Sequence, residues 1–137
     1  MKLILAVFLI LHGLVHTILA AAPIPNDPDS NPGAFFTAAT RSWLLPRLGL
    51  NDTAIQWIGI ILVVLTTLGF ILAGLGILGV PGLSDAWRAV AVLSAIVSLV
   101  LLVVFWHPWL LVGVLIDIGI LVLLLWAKWP PVDLIGS

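Results

Sequence analysis

The chain predicts an all-α fold: a four-helix transmembrane bundle, one domain over residues 1–137, whose long first loop carries a short interfacial helix. Three observations support this. Of 137 residues, 63% are hydrophobic and 8% charged, against roughly 25% charged in a soluble domain. The apolar residues fall into four runs, each near the ~20 residues that cross a ~30 Å bilayer core. Six of the seven Trp (Trp57, Trp87, Trp106, Trp109, Trp126 and Trp129) sit within a few residues of a run's end, where aromatic side chains mark the membrane–water boundary.

The first span is expected over residues 3–22, ended by Pro23 and Pro25, since Pro cannot continue a helix. Lys2, the apolar run and Ala20-Ala21-Ala22 also resemble a cleavable signal segment. His12 and His16 interrupt the run, and the segment is read as a retained span. Residues 23–52 form the first loop. Its opening, from Pro23 to Gly33, is turn chemistry. Asp27, Asp29 and Asn31 lack the downstream Glu of a calcium loop. Residues 35–48 mix Phe, Trp and Leu with Thr and Arg, a composition for a short helix lying flat on the membrane. Phe35, Phe36, Trp43 and Leu44 should meet the membrane or cap the bundle, with Arg41 and Arg47 at headgroup level.

The second span is expected over 53–78, with Thr53-x-x-Gln56 as a capping box. Asn51-Asp52-Thr53 matches a glycosylation sequon but reads as a cap. Gly79-Val80-Pro81-Gly82 breaks the chain, and Ser84 or Asp85 caps a third span over 85–106. Residues 85–129 as one helix would run about 67 Å, so the chain must reverse at His107-Pro108. The fourth span covers 108–129, with Pro108 at its first position. His107 is read as a turn residue. Lys2, Arg88 and Lys128 fall on one side of this topology and Arg41 and Arg47 on the other. The positive-inside rule then puts both termini in the cytoplasm of a multi-pass cell-membrane protein.

Composition excludes several function classes. Five scattered basic residues make no nucleic-acid surface. With no Cys there is no disulfide, thiolate nucleophile or Cys-ligated metal. The expected partners are the lipid bilayer and other membrane subunits or further copies of the chain, not nucleic acid.

Membrane helices associate through small residues that let backbones approach. Gly13, Thr17 and Ala20 supply such a stripe in the first span; Gly59, Thr66, Gly69, Ala73 and Gly76 in the second. Ala91, Ser94, Ala95 and Ser98 supply one in the third, and Gly113 in the fourth. Asp117 is the one charge deep in a span, where an Asp costs about 2.5–3.5 kcal/mol on insertion scales and usually faces a partner. His12 and His16, at i and i+4, share a helix face. Rise per residue places His12 about 14 Å from the cytoplasmic end, His16 about 20 Å, Asp117 about 16 Å, and Ser94 and Ser98 about 15 and 21 Å. These five side chains are expected in one slab near the midplane.

Four chemistries compete for that slab. A hydrogen-bonded network would fix helix register. His12, His16 and Asp117 make an adequate metal set, lacking a visible access route. A His/Asp cluster can relay protons, though this one is only about two helical turns deep. A membrane His can hold haem or a chlorin. No nucleophile and base are visibly arranged, so catalysis ranks last and no cofactor is predicted. The favoured reading is a non-enzymatic accessory subunit or scaffold. The alternatives are a small transporter or a proton- or metal-handling protein, and a haem- or pigment-binding subunit.

His12-Gly13-Leu14-Val15-His16, the Gly-rich second span and the Ser-containing third resemble a group of small four-helix prokaryotic integral membrane proteins of no settled activity. The long Pro-rich first loop departs from that pattern. The resemblance implies the four-span architecture and a prokaryotic membrane, and nothing about mechanism.

Overall fold

A computed structural model of the chain describes residues 1–23, 26, 28–29 and 42–135. Four helices long and apolar enough to cross a membrane form an all-α bundle: α1 (Lys2–Ala21), α2 (Asp52–Ile77), α3 (Trp87–Val104) and α4 (Pro108–Trp126). A short 3-10 turn, Leu45–Leu48, lies in the first loop, and a one-turn helix, α5 (Val132–Ile135), follows α4.

The ends differ from expectation in instructive ways. α2 is capped by Asn51, whose side chain accepts from the Ala54 N–H at 2.8 Å. The Thr53–Gln56 box is therefore not the cap: Asn51 holds the extended conformation a cap requires, and Thr53 is already inside the helix. Beyond α2, Gly79 takes φ +93°, its N–H donates to Gly76 O, and Val80 N–H donates to Leu75 O. That pair of bonds is a Schellman stop, which needs a residue free of the left-handed Cβ penalty. Ser84 and Asp85 do not cap α3, which begins only at Trp87 with no side-chain cap. Residues 80–86 instead run through successive backbone turns, which satisfy the donors from within the chain.

His107 is extended, at φ −147°, and its Nδ1 accepts from Trp109 N–H at 3.2 Å, so the turn residue also caps α4. α4 starts as a 3-10 turn, is α-helical over Leu111–Leu121 and widens to a π-turn over Val122–Trp126. It ends three residues before the expected Trp129. Lys128 then takes a left-handed φ of +49°, which carries the chain out of the helix.

The described part of the expected interfacial helix shortens to Leu45–Leu48. Ser42 Oγ donates to Val104 O at 2.9 Å and accepts from Leu45 N–H, while Trp43 Nε1 donates to Val103 O at 2.7 Å. The segment thereby covers the last carbonyls of α3, groups a helix end leaves unsatisfied. Leu45, rather than Leu44, enters the core, and Arg47 lies over the Trp43 ring. Phe35, Phe36 and Arg41 lie outside the described residues.

α2 is the central helix, packed on α1 and α3, and α3 in turn packs on α4. Glycines set the spacing. A Cβ on Gly13 would sit 2.8 Å from Phe70 Cβ, and one on Gly74 2.9 Å from Ala6 O. On the other face of α2, Gly69 abuts Ser94 and Gly76 abuts Leu83 O and Trp87. The expected stripe marked only this second face; Gly74 reveals the first. Two apolar cores result. One gathers Ala6, Leu9, Ala73, Ile77, Trp87 and Ile120. The other gathers Leu45, Ile55, Leu101, Leu102, Phe105 and Leu110. Leu3, Ile4, Leu11, Ile18, Leu93 and Leu115 are exposed on the outside. Among the described residues, α1 and α4 make little backbone contact, so side chains must bridge that seam.

Candidate functional site

The bridge is the polar slab. His12 and His16 project inward from α1 because the opposite face of that helix carries exposed Leu11, Leu14 and Ile18. Ser98 faces in from α3 and Asp117 from α4; both are fully buried. His12 Nε2 lies 2.8 Å from Asp117 Oδ1. Ser98 Oγ hydrogen-bonds the other carboxylate oxygen, Asp117 Oδ2. His16 Nε2 lies 2.8 Å from Ser98 Oγ, and His16 Nδ1 donates to the His12 carbonyl at 3.0 Å. The chain of bonds runs from His12 through Asp117, Ser98 and His16 back to His12. Three helices close one ring.

Phe70 of α2 supplies the wall. Its ring meets His12 edge-on at 4.9 Å between centroids and stacks on His16 at 6.4 Å. Phe8 stacks on the other side of His12 at 6.1 Å. The histidines are thus held in place by apolar packing as well as by hydrogen bonds. No spacing rule pointed to Phe70; only its place one turn below Thr66-Thr67 in α2 hinted at an inward face.

Ser94 stands apart from the ring. Its hydroxyl donates to Val90 O of its own helix at 2.7 Å, the local bond that Ser often makes in a helix. Gly69 presses against it there. Equal depth put Ser94 in the slab; the Val90 carbonyl one turn back accepts its hydroxyl instead. A second polar contact, unanticipated, joins α1 to α2: Thr67 Oγ1 donates to Gly13 O at 3.1 Å and lies 2.9 Å from Thr17 Oγ1. Next to it, Thr66 is fully buried, and its Oγ1 has no partner among the described residues.

Donor and acceptor counting limits where the protons of Asp117, Ser98 and His16 can sit. A carbonyl only accepts, so His16 Nδ1 carries hydrogen. If His16 is neutral, Nε2 accepts from Ser98 and the remaining proton lies on Asp117, donating to Ser98. If Asp117 is ionised, Ser98 donates to it and His16 Nε2–H donates to Ser98, making His16 cationic. His12 donates to Asp117 Oδ1 in both arrangements. With His12 neutral, the ring carries no net charge in either arrangement, so any charge it holds is paired within it.

The arrangement permits three chemistries. Ser98 and His16 stand at the distance of a nucleophile and its base, a pairing not foreseen from the sequence. Asp117 also hydrogen-bonds Ser98 Oγ, and Ser98 is fully buried. One ligand atom from each of His12, His16 and Asp117 lies within 4.8 Å of the others, close enough to share a metal ion. Pinning His16 Nδ1 to a carbonyl leaves Nε2 as the ligand nitrogen, an orientation common in metal sites. A haem or chlorin held by either histidine would likewise have to displace Asp117 or Ser98 from an Nε2 atom.

No family model, curated protein or solved structure matches this chain.

Proposed function

We propose that the chain is a multi-pass integral membrane protein acting as a non-enzymatic accessory subunit or scaffold, in which the His12–Asp117–Ser98–His16 ring is a structural clasp. One observation carries this reading: the ring closes on itself. Apart from His12 Nδ1, its side-chain polar atoms bond one another and one backbone carbonyl, which suits a fixed joint better than a site awaiting a ligand. The clasp joins α1 to α4 where their backbones make little contact. The apolar exterior, including exposed Trp57, Trp109 and Trp126, supplies lateral surfaces for lipid and for neighbouring subunits. Both termini are placed in the cytoplasm by the Lys/Arg balance, and the resemblance to small prokaryotic membrane proteins agrees with the architecture.

Clustering of the three ligand atoms within 4.8 Å favours a second reading, a divalent-metal site. His12, His16 and Asp117 would be its protein ligands, and binding would displace the ring's shared proton. Elemental analysis of the purified, membrane-extracted protein separates the two. The clasp predicts no stoichiometric metal and a fold indifferent to chelator. One equivalent of a transition metal, lost in Asp117→Asn, would establish the second reading instead.

A further inference from the structure

Three of the chain's five basic residues converge at one end of the bundle. Lys2 from the start of α1, Arg88 from the first turn of α3 and Lys128 after α4 line a cavity of about 510 Å³, with Asp85 as the acidic lining residue among the described residues. Among the described residues, none of the three cations pairs with a carboxylate. Lys2 Nζ comes close to Gly79, whose missing side chain leaves it room. Arg88 lies over the Trp87 ring and donates one N–H to Pro130 O at 2.7 Å, which orients the guanidinium and leaves further donors for an anion. Like charges gathered in one cavity repel one another, and an anion bound among them relieves that repulsion.

An apolar groove adjoins the cavity. Leu5 and Phe8 of α1 face Ile120, Leu123 and Leu124 of α4 across it, with Trp129 at its mouth. The groove and the cavity share Ile77 and Trp87 in their walls. It follows the α1–α4 seam, where the backbones make little contact. A cationic pocket at a helix end, continuous with an apolar slot between helices, complements the two-part chemistry of an anionic phospholipid. Basic pockets between membrane helices are known to take acidic headgroups, and Trp87 and Trp129 suit the interface depth at which phosphates lie.

We propose that this end of the bundle binds an anionic phospholipid, its phosphate among Lys2, Arg88 and Lys128 and a short stretch of one acyl chain in the α1–α4 groove, whose free volume is about 60 Å³. The inference rests on the membrane reading above. It differs from general affinity for a charged bilayer in requiring both halves of one site.

The test uses the full-length protein in lipid nanodiscs and detergent. In nanodiscs of phosphatidylcholine doped with phosphatidylglycerol, native mass spectrometry should show one phosphatidylglycerol retained about tenfold or more above phosphatidylcholine. The triple variant Lys2→Gln/Arg88→Gln/Lys128→Gln should abolish that preference while still entering nanodiscs. Leu123→Trp, which fills the groove with the charges intact, should weaken retention similarly and keeps the test informative if the triple variant misfolds. Equal retention of the two lipids by the wild type would overturn the proposal. Competition by glycerol phosphate as effective as by phosphatidylglycerol would also overturn it, by showing a free-anion site. A protein that remains soluble without detergent and never enters nanodiscs would instead overturn the membrane reading, a distinct failure.

Discussion

Replacing Asp117 separates what its shape contributes from what its proton contributes. In the ring its two oxygens bond His12 Nε2 and Ser98 Oγ. Asp117→Ala removes both bonds and leaves the imidazole and hydroxyl facing a void. Interhelical hydrogen bonds in membranes average about 0.6 kcal/mol, so two bonds give about 1.2 kcal/mol. An unpartnered buried group adds about 1–3 kcal/mol, for an expected loss of about 2–4 kcal/mol. Asp117→Asn behaves differently. Its carbonyl oxygen can accept from His12 and its amide can donate to Ser98, which then donates to neutral His16. That reproduces the protonated-Asp117 arrangement, so the loss should stay below about 1 kcal/mol. Reversible unfolding in bicelles or mixed micelles measures both. An Asn variant as unstable as the Ala variant would refute the hydrogen-bond account, because the negative charge itself would then be needed.

Four further outcomes follow from local packing. Gly76→Ala should cost about 1–3 kcal/mol, because its Cβ would lie 2.6 Å from both Leu83 O and Trp87 Cβ; unfolding in detergent reads this directly. Gly119 has open space around it, and Gly119→Ala should stabilise by about 0.5–1 kcal/mol in the same assay. Ser98→Ala should break the ring and lower stability by about 1 kcal/mol or more, while Ser94→Ala stays within about 0.5 kcal/mol of wild type. Thr66→Val removes a buried hydroxyl with no partner among the described residues and should raise stability by about 1 kcal/mol.

The helices were legible because hydropathy and chain-breaking residues act locally. Gly79 and Pro108 mark reversals whatever packs around them, and the four apolar runs leave no other class of fold. The depths of His12, His16, Ser98 and Asp117 were legible for the same reason: rise per residue is fixed. Which hydroxyl joins the ring was not. Ser94 and Ser98 lie one turn apart on one face, and the choice depends on helix rotation and on Val90 O competing for Ser94. The N-cap of α2 was missed because Asn51, Asp52 and Thr53 are all good caps, and the backbone conformation of Asn51 decides among them. The start of α3 was missed because tertiary contact at Gly76 and Leu83 favours backbone turns over a side-chain cap. The Ser98–His16 approach and the Phe70 wall come from different helices, so no single segment announces them.

The central claim is that the ring clasps α1 to α4 across a seam that backbone packing leaves open. A double-mutant cycle between His12→Ala and Asp117→Ala, read by unfolding in bicelles, measures that clasp directly, since additivity fails only where two side chains interact. The clasp predicts a favourable coupling of about 0.6 kcal/mol, reaching toward 1.7 kcal/mol, the upper range for membrane hydrogen bonds. Additive losses, with coupling indistinguishable from zero, would contradict it.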